Sequence, residues 1–158
     1  MAGETTAPLG FTEFCLRNSE ECSEAASETV ALSPERFAVL QDIQWAVNTS
    51  IRYENDISKY GVRDYWTYGA SQGDCEDYAL EKRQRLIRSG WPRSALLLTM
   101  VSISDGLFHA VLVVKTDKGD YILDNRYKQV LPWEEASYQW IKQENPANTA
   151  KWKLVVNL

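Results

Sequence analysis

Histidine occurs once in the 158 residues, at position 109. A lone imidazole excludes a His-rich metal centre, and any chemistry that needs a histidine base has to use His109. Long apolar runs are missing as well: none approaches the ~20 residues that a membrane-spanning helix requires. The opening MAGETTAPLG has neither a basic start nor the apolar stretch of a secretory leader. No cluster of Lys or Arg interrupts a composition with net charge −5. The positive face that displaces counterions from a phosphate backbone is therefore lacking, and nucleic acid is not an expected partner. Cysteine is scarce at three residues, too few for a fold built on disulfides. The combination of low hydrophobicity and high charge that marks disorder is also absent, with 44% hydrophobic and 25% charged residues.

What remains is one domain's length, large enough to bury most of its apolar surface unaided. Six Trp, eight Tyr and four Phe supply its bulk. Residues 1–32 are rich in Thr, Ser, Glu and Ala with little periodicity, and read as an N-terminal arm or tail. The domain proper spans 33–158. Ser33 suits an N-cap and Pro34 a first helical position. Phe37, Leu40, Ile43, Val47 and Ile51 then follow at three- and four-residue steps, predicting a core-facing helix over 34–50. Residues 52–73 read as a long aromatic loop with Tyr53, Tyr60, Tyr65, Trp66 and Tyr68; loops of that length are usually functional. A second helix starts near Asp74 and ends at Gly90 before Pro92. Strands are expected over 95–103, 107–115 and 120–124, then a short helix near 133–143 and a last strand over 152–156. Helices followed by an antiparallel sheet make an α+β domain.

The cysteines divide unequally. Cys15 and Cys22 share one acidic stretch and Cys75 stands apart, so the economical pairing is Cys15 with Cys22, leaving Cys75 free. Such a bridge points to an oxidising compartment, whereas two reduced thiols would suit the cytosol. Cys75 sits at a helix start, where unpaired amides and the helix dipole favour a thiolate and an oxyanion. His109 lies mid-strand, a position that also suits an inert core histidine. If strands 107–115 and 120–124 pair through a two-residue turn at Asp117-Lys118, Thr116 faces Gly119 and Val111 faces Asp124. His109 and Asp124 then become diagonal neighbours on one sheet face. A one-residue slip would separate them, and Asp124 would then be only a turn residue. A helix-start Cys, a strand His and a strand-end Asp form the constellation of papain-like and transglutaminase-like thiol enzymes.

The segment Gly73-Asp74-Cys75-Glu76-Asp77-Tyr78-Ala79 resembles the signature of the bacterial transglutaminase-like cysteine proteinases. The likeness continues through GWPRSALLL at 90–98, FHAVLVV at 108–114 and YILDN at 121–125. It implies a papain/transglutaminase-like fold, with Cys75 as nucleophile, His109 as base and Asp124 as orienting acid. It also implies a periplasmic or secreted cysteine endopeptidase acting on a cell-surface or secreted protein such as an adhesin, with a membrane-anchored regulator as a partner of its relatives. Relatives carry calcium beside the active Cys. The matching positions are Asp74 and Glu76, with Asp77 adjacent, although the same residues could simply cap a helix. The sequence departs from the family pattern at Trp66-Thr67-Tyr68-Gly69-Ala70, where a Pro and a Glu usually follow the Trp. Gln72 and Trp66 are candidate oxyanion donors. Two other functions share these features: acyl transfer to amines, and peptide binding without turnover.

Overall fold

The computed structural model describes residues 3–53, 72–104 and 107–155. In chain order these form β1 (Glu4–Thr6), α1 (Leu9–Arg17), α2 (Pro34–Ser50) and a short parallel pair, β2 (Arg52–Tyr53) with β3 (Gln72–Gly73). Then come α3 (Cys75–Arg88), β4 (Leu96–Ser104), β5 (Leu107–Thr116), β6 (Gly119–Leu123), β7 (Leu131–Pro132), β8 (Gln139–Gln143) and β9 (Lys151–Leu154). Seven strands make one antiparallel sheet in the order β1-β9-β8-β4-β5-β6-β7. The architecture is α+β, as expected.

The first long helix begins where the caps predict. The Ser33 hydroxyl accepts from the Arg36 amide, and Pro34 occupies the first turn, where a missing N–H costs nothing. Leu40 and Val47 are fully buried, so the apolar stripe faces inward. α3 ends before Gly90, whose φ of +95° a residue with a Cβ would resist.

Alternation along the strands covers both faces of the sheet. Leu96, Leu98, Leu112 and Val114 pack with Leu40, Leu80, Leu86 and Trp152 in the main core. Val101, Val111, Val113, Ile122 and Trp140 form a second cluster. His109 shares the parity of Val111 and Val113. A Leu→Ala change in the main core is expected to cost ~2–5 kcal/mol. A buried ion pair, Arg83–Glu144 at 3.0 Å, ties α3 to the residue after β8, and Glu144 also accepts from the Leu98 amide.

Two parts of the chain differ from expectation. The helix expected near 133–143 is a 3-10 turn at Trp133–Glu135 followed by β8. Trp133, Ala136 and Trp140 happen to fall at helical spacing, but alternation around Trp140 decides the outcome: Trp140 enters the second cluster while Gln139 faces solvent. The stretch expected as an arm contributes β1, paired with β9, and places Phe11, Phe14 and Val30 in the main core. Its Phe pair sits in a helix of only 9 residues, too short to show a period.

Candidate active site

Cys75 is the first residue of α3, and Asp74 is its N-cap. The sequence Asp74-Cys75-Glu76-Asp77 builds a capping box in which the Asp77 carboxylate accepts from the Asp74 amide at 3.2 Å. This fixes the thiol at a helix N-terminus, beside amides that carry partial positive charge. The Ala110 amide of β5 donates to Sγ. The thiol in turn lies 3.3 Å from Glu76 Oε2. Burial pushes the Cys75 thiol well above its ordinary pKa, and the Glu76 carboxylate adds to the effect.

The hairpin of β5 and β6 has the register that a two-residue turn requires. Thr116 pairs with Gly119 and Leu112 with Leu123. Gly119, at φ +108°, closes the turn. Asp124 follows directly after β6, and its Oδ1 lies 2.6 Å from Nε2 of His109. Both side chains are buried. That contact leaves Nδ1 as the ring nitrogen not engaged by the carboxylate. Burial pushes the Asp124 carboxyl up. The hydrogen bond and charge of His109, the Tyr138 hydroxyl and the Arg126 amide outweigh it and hold the group below its ordinary value.

α2 fixes the backbone beneath this pair. The fully buried Gln44 donates from Nε2 to the Asp124 and Tyr127 carbonyls, each at 2.9 Å. Asn48 donates to the same two carbonyls at 3.2 and 3.0 Å. The segment that carries Asp124 is thus held by polar side chains of a helix that sequence periodicity identified only by its apolar face.

Cys75 and His109 line one pocket of about 600 Å³, together with Glu76, Met100, Phe108 and Ile141. The lining is mostly apolar and includes Lys142. Asp74 and Glu76 flank the thiol in sequence, and Asp77 is committed to the cap. Among the described residues no three His, Cys, Asp or Glu side chains gather as a metal cluster. Gln72 lies in β3. Trp66 and the aromatic loop residues Tyr60, Tyr65 and Tyr68 lie outside the described residues, as does the Trp66–Ala70 departure.

Three participants were not anticipated. The Tyr138 hydroxyl donates to Asp124 Oδ2, and the segment around it, which leads into β8, was read as helix. Lys82, two turns along α3 from Cys75, is fully buried, with its ammonium 6.0 Å from the Tyr78 ring centroid. The Ala110 amide could be inferred only from the packing of α3 on β5. The expected disulfide is present between Cys15 and Cys22, with Cα atoms 5.7 Å apart, and Cys75 is a free thiol.

Comparison with known proteins adds independent findings. The family model described as bacterial transglutaminase-like cysteine proteinase matches residues 1–157. No curated protein sequence matches the chain. Among solved structures the chain is similar to calcium-bound LapG of Legionella pneumophila, with 24% identity and TM-score 0.63, covering 79% of this chain and 71% of that chain. EGTA-treated LapG from the same organism gives 23% identity and TM-score 0.61 over 80% of this chain and 70% of that chain. A further LapG structure gives 25% identity and TM-score 0.59, covering 73% and 66% respectively.

Proposed function

Since the chain belongs to the bacterial transglutaminase-like cysteine proteinases and is a cysteine peptidase, we propose that Cys75, His109 and Asp124 are its nucleophile, base and orienting acid. The observation that carries this reading is the 2.6 Å contact between His109 Nε2 and Asp124 Oδ1, in a histidine that lines the same pocket as Cys75. Asp124 fixes the tautomer with the proton on Nε2, so Nδ1 is available as a base.

In the proposed reaction His109 Nδ1 takes the Cys75 proton as sulfur attacks the scissile carbonyl. The carbon–sulfur bond forms, and the carbonyl oxygen becomes an oxyanion within reach of amides at the α3 N-terminus. The buried Asp124 carboxylate stabilises the imidazolium. Collapse of the intermediate breaks the C–N bond, and the imidazolium protonates the departing amine. Water, deprotonated by His109, then releases the acyl group as a carboxylic acid and restores the thiol.

The pocket's apolar lining suits an extended segment of a protein substrate, and a cell-surface or secreted protein is the proposed class. The Cys15–Cys22 bridge supports a periplasmic or extracellular location. None of the described helices is long and apolar enough to cross a membrane.

Calcium is the proposed cofactor, with Asp74 and Glu76 as its carboxylate ligands. Two carboxylates, one on each side of Cys75 in sequence, fit the ion in donor type, and calcium completes its shell with carbonyl and water oxygens. When bound it supplies positive charge that offsets the Glu76 carboxylate beside the thiol. The reading is tested with fluorescein-labelled casein and the Cys75→Ala variant. Wild type is expected to release fluorescent peptides and the variant none; equal release by both would overturn the assignment.

A further inference from the structure

We infer that Tyr138 is a positioning residue for the His109–Asp124 pair, holding the carboxylate by its hydroxyl and the imidazole by its ring. This rests on the roles proposed above for His109 and Asp124, and adds a fourth side chain to them.

The geometry accounts for both oxygens of Asp124. Oδ1 faces His109 Nε2 at 2.6 Å and accepts from the Arg126 amide at 3.0 Å. Oδ2 accepts from the Tyr138 hydroxyl. A carboxylate with donors on only one oxygen can swing about its terminal torsion, which is broad and roughly two-fold. Donors on both oxygens oppose that rotation, and the bonds to a charged acceptor are the strong kind. Tyr138 also meets His109 directly, with ring centroids 5.7 Å apart at 56°. One side chain therefore limits movement of both partners.

Tyr138 is itself held. Its ring packs against Tyr127 at 6.2 Å and Trp140 at 6.3 Å, each near a T-shaped arrangement. The Arg126 guanidinium carbon lies 5.7 Å from the ring centroid, and its Nη1 donates to the hydroxyl at 3.4 Å. Burial and the neighbouring carboxylate push the phenol further above its ordinary pKa, so it stays a donor throughout the working range. Residue 138 reaches the site because β8 returns beside β4 and not beside β7.

The chain offers an unambiguous test, because it has one histidine and one free thiol. Nitrogen-15 NMR reads the His109 tautomer and the water exchange of its Nε2–H, while iodoacetamide labelling reads Cys75. Tyr138→Phe keeps the ring and removes the hydroxyl. Loss of a hydrogen bond to a charged group corresponds to roughly a tenfold change or more. The expected result is Nε2–H exchange faster by about that factor, loss of the pure Nε2–H tautomer, and Cys75 labelling slower by a similar factor. Tyr138→Gln, which keeps a donor, is expected to label faster than Tyr138→Leu, which keeps neither donor nor ring. Imidazole signals and labelling unchanged in Tyr138→Phe, or equal rates in the Gln and Leu variants, would overturn the inference. His109→Ala, labelled in parallel, separates the two readings. A rate equal to wild type would reject the Cys75–His109 pair, while the imidazole signals of Tyr138→Phe would still decide the role of Tyr138.

Discussion

His109 and Asp124 meet at 2.6 Å although 15 residues and a tight turn separate them. The contact depends on strand register as much as on residue type. It also assigns the ring nitrogens, because an acceptor-only carboxylate at Nε2 requires the proton there and leaves Nδ1 unprotonated in the neutral ring. Asp124→Asn offers that nitrogen an amide which can donate as well as accept, so the tautomer is no longer fixed. Iodoacetamide labelling of Cys75 at pH 7 should fall about tenfold, and no further than in His109→Ala, because the carboxylate acts through the imidazole. A rate within a factor of about two of wild type would show that the carboxylate does not orient the imidazole.

Lys82 makes a prediction about stability. Burial lowers its pKa from 10.5 to about 7, against the opposing effect of the Asp124 charge. Between those values the unfolded chain holds a proton that the folded chain has released. The Lys82 contribution to stability should therefore rise with pH through that window, with a slope of at most about 1.4 kcal/mol per pH unit, while the raised Cys75 thiol and Tyr138 phenol oppose it in the upper part of the window. Lys82→Met should remove this rise and be more stable near neutral pH, since a buried ammonium gives way to an apolar chain of similar length. Urea unfolding of both proteins from pH 7 to 10.5 checks this; parallel curves would refute it.

Much of the site's frame was legible because it is local. Ser33 and Pro34 announce a helix by hydrogen-bonding chemistry within one turn, and Asp74 with Asp77 does the same for α3. The His109–Asp124 meeting was legible because a two-residue turn leaves only one register. Tyr138 was not, because Trp133, Ala136 and Trp140 mimic a helical period, and only pairing with β4 makes the residues that follow Tyr138 a strand. Lys82 reads as an ordinary solvated helix lysine until α3 packs on the sheet. Gln44 was likewise hidden behind the apolar stripe of α2, since its three acceptor carbonyls lie 80 or more residues away.

The Cys15–Cys22 disulfide closes a short loop between α1 and the 3-10 turn at Ser19–Cys22. Chain-entropy reasoning gives such a loop about 2–3 kcal/mol of stabilisation. Replacing both cysteines by Ser should lower the unfolding free energy by about that amount. Cys75 labelling in the folded state should stay at the wild-type rate. An altered labelling rate with stability unchanged would contradict this division of roles.

Calcium has a thermal signature that does not depend on turnover. An ion that binds only the folded chain stabilises it by about 2–3 kcal/mol at a hundredfold excess over Kd. Calcium should raise Tm, EGTA should reverse the rise, and Glu76→Gln should abolish the response. Equal calcium response in wild type and Glu76→Gln would exclude Glu76 as a ligand.

The most direct measurement is the pH profile of iodoacetamide labelling at Cys75 in wild type and His109→Ala, with the disulfide intact so that only one thiol reacts. The account predicts that removing the imidazole slows labelling at neutral pH about tenfold or more and displaces the profile to higher pH. Superimposable profiles would show that the thiol and the imidazole do not act together.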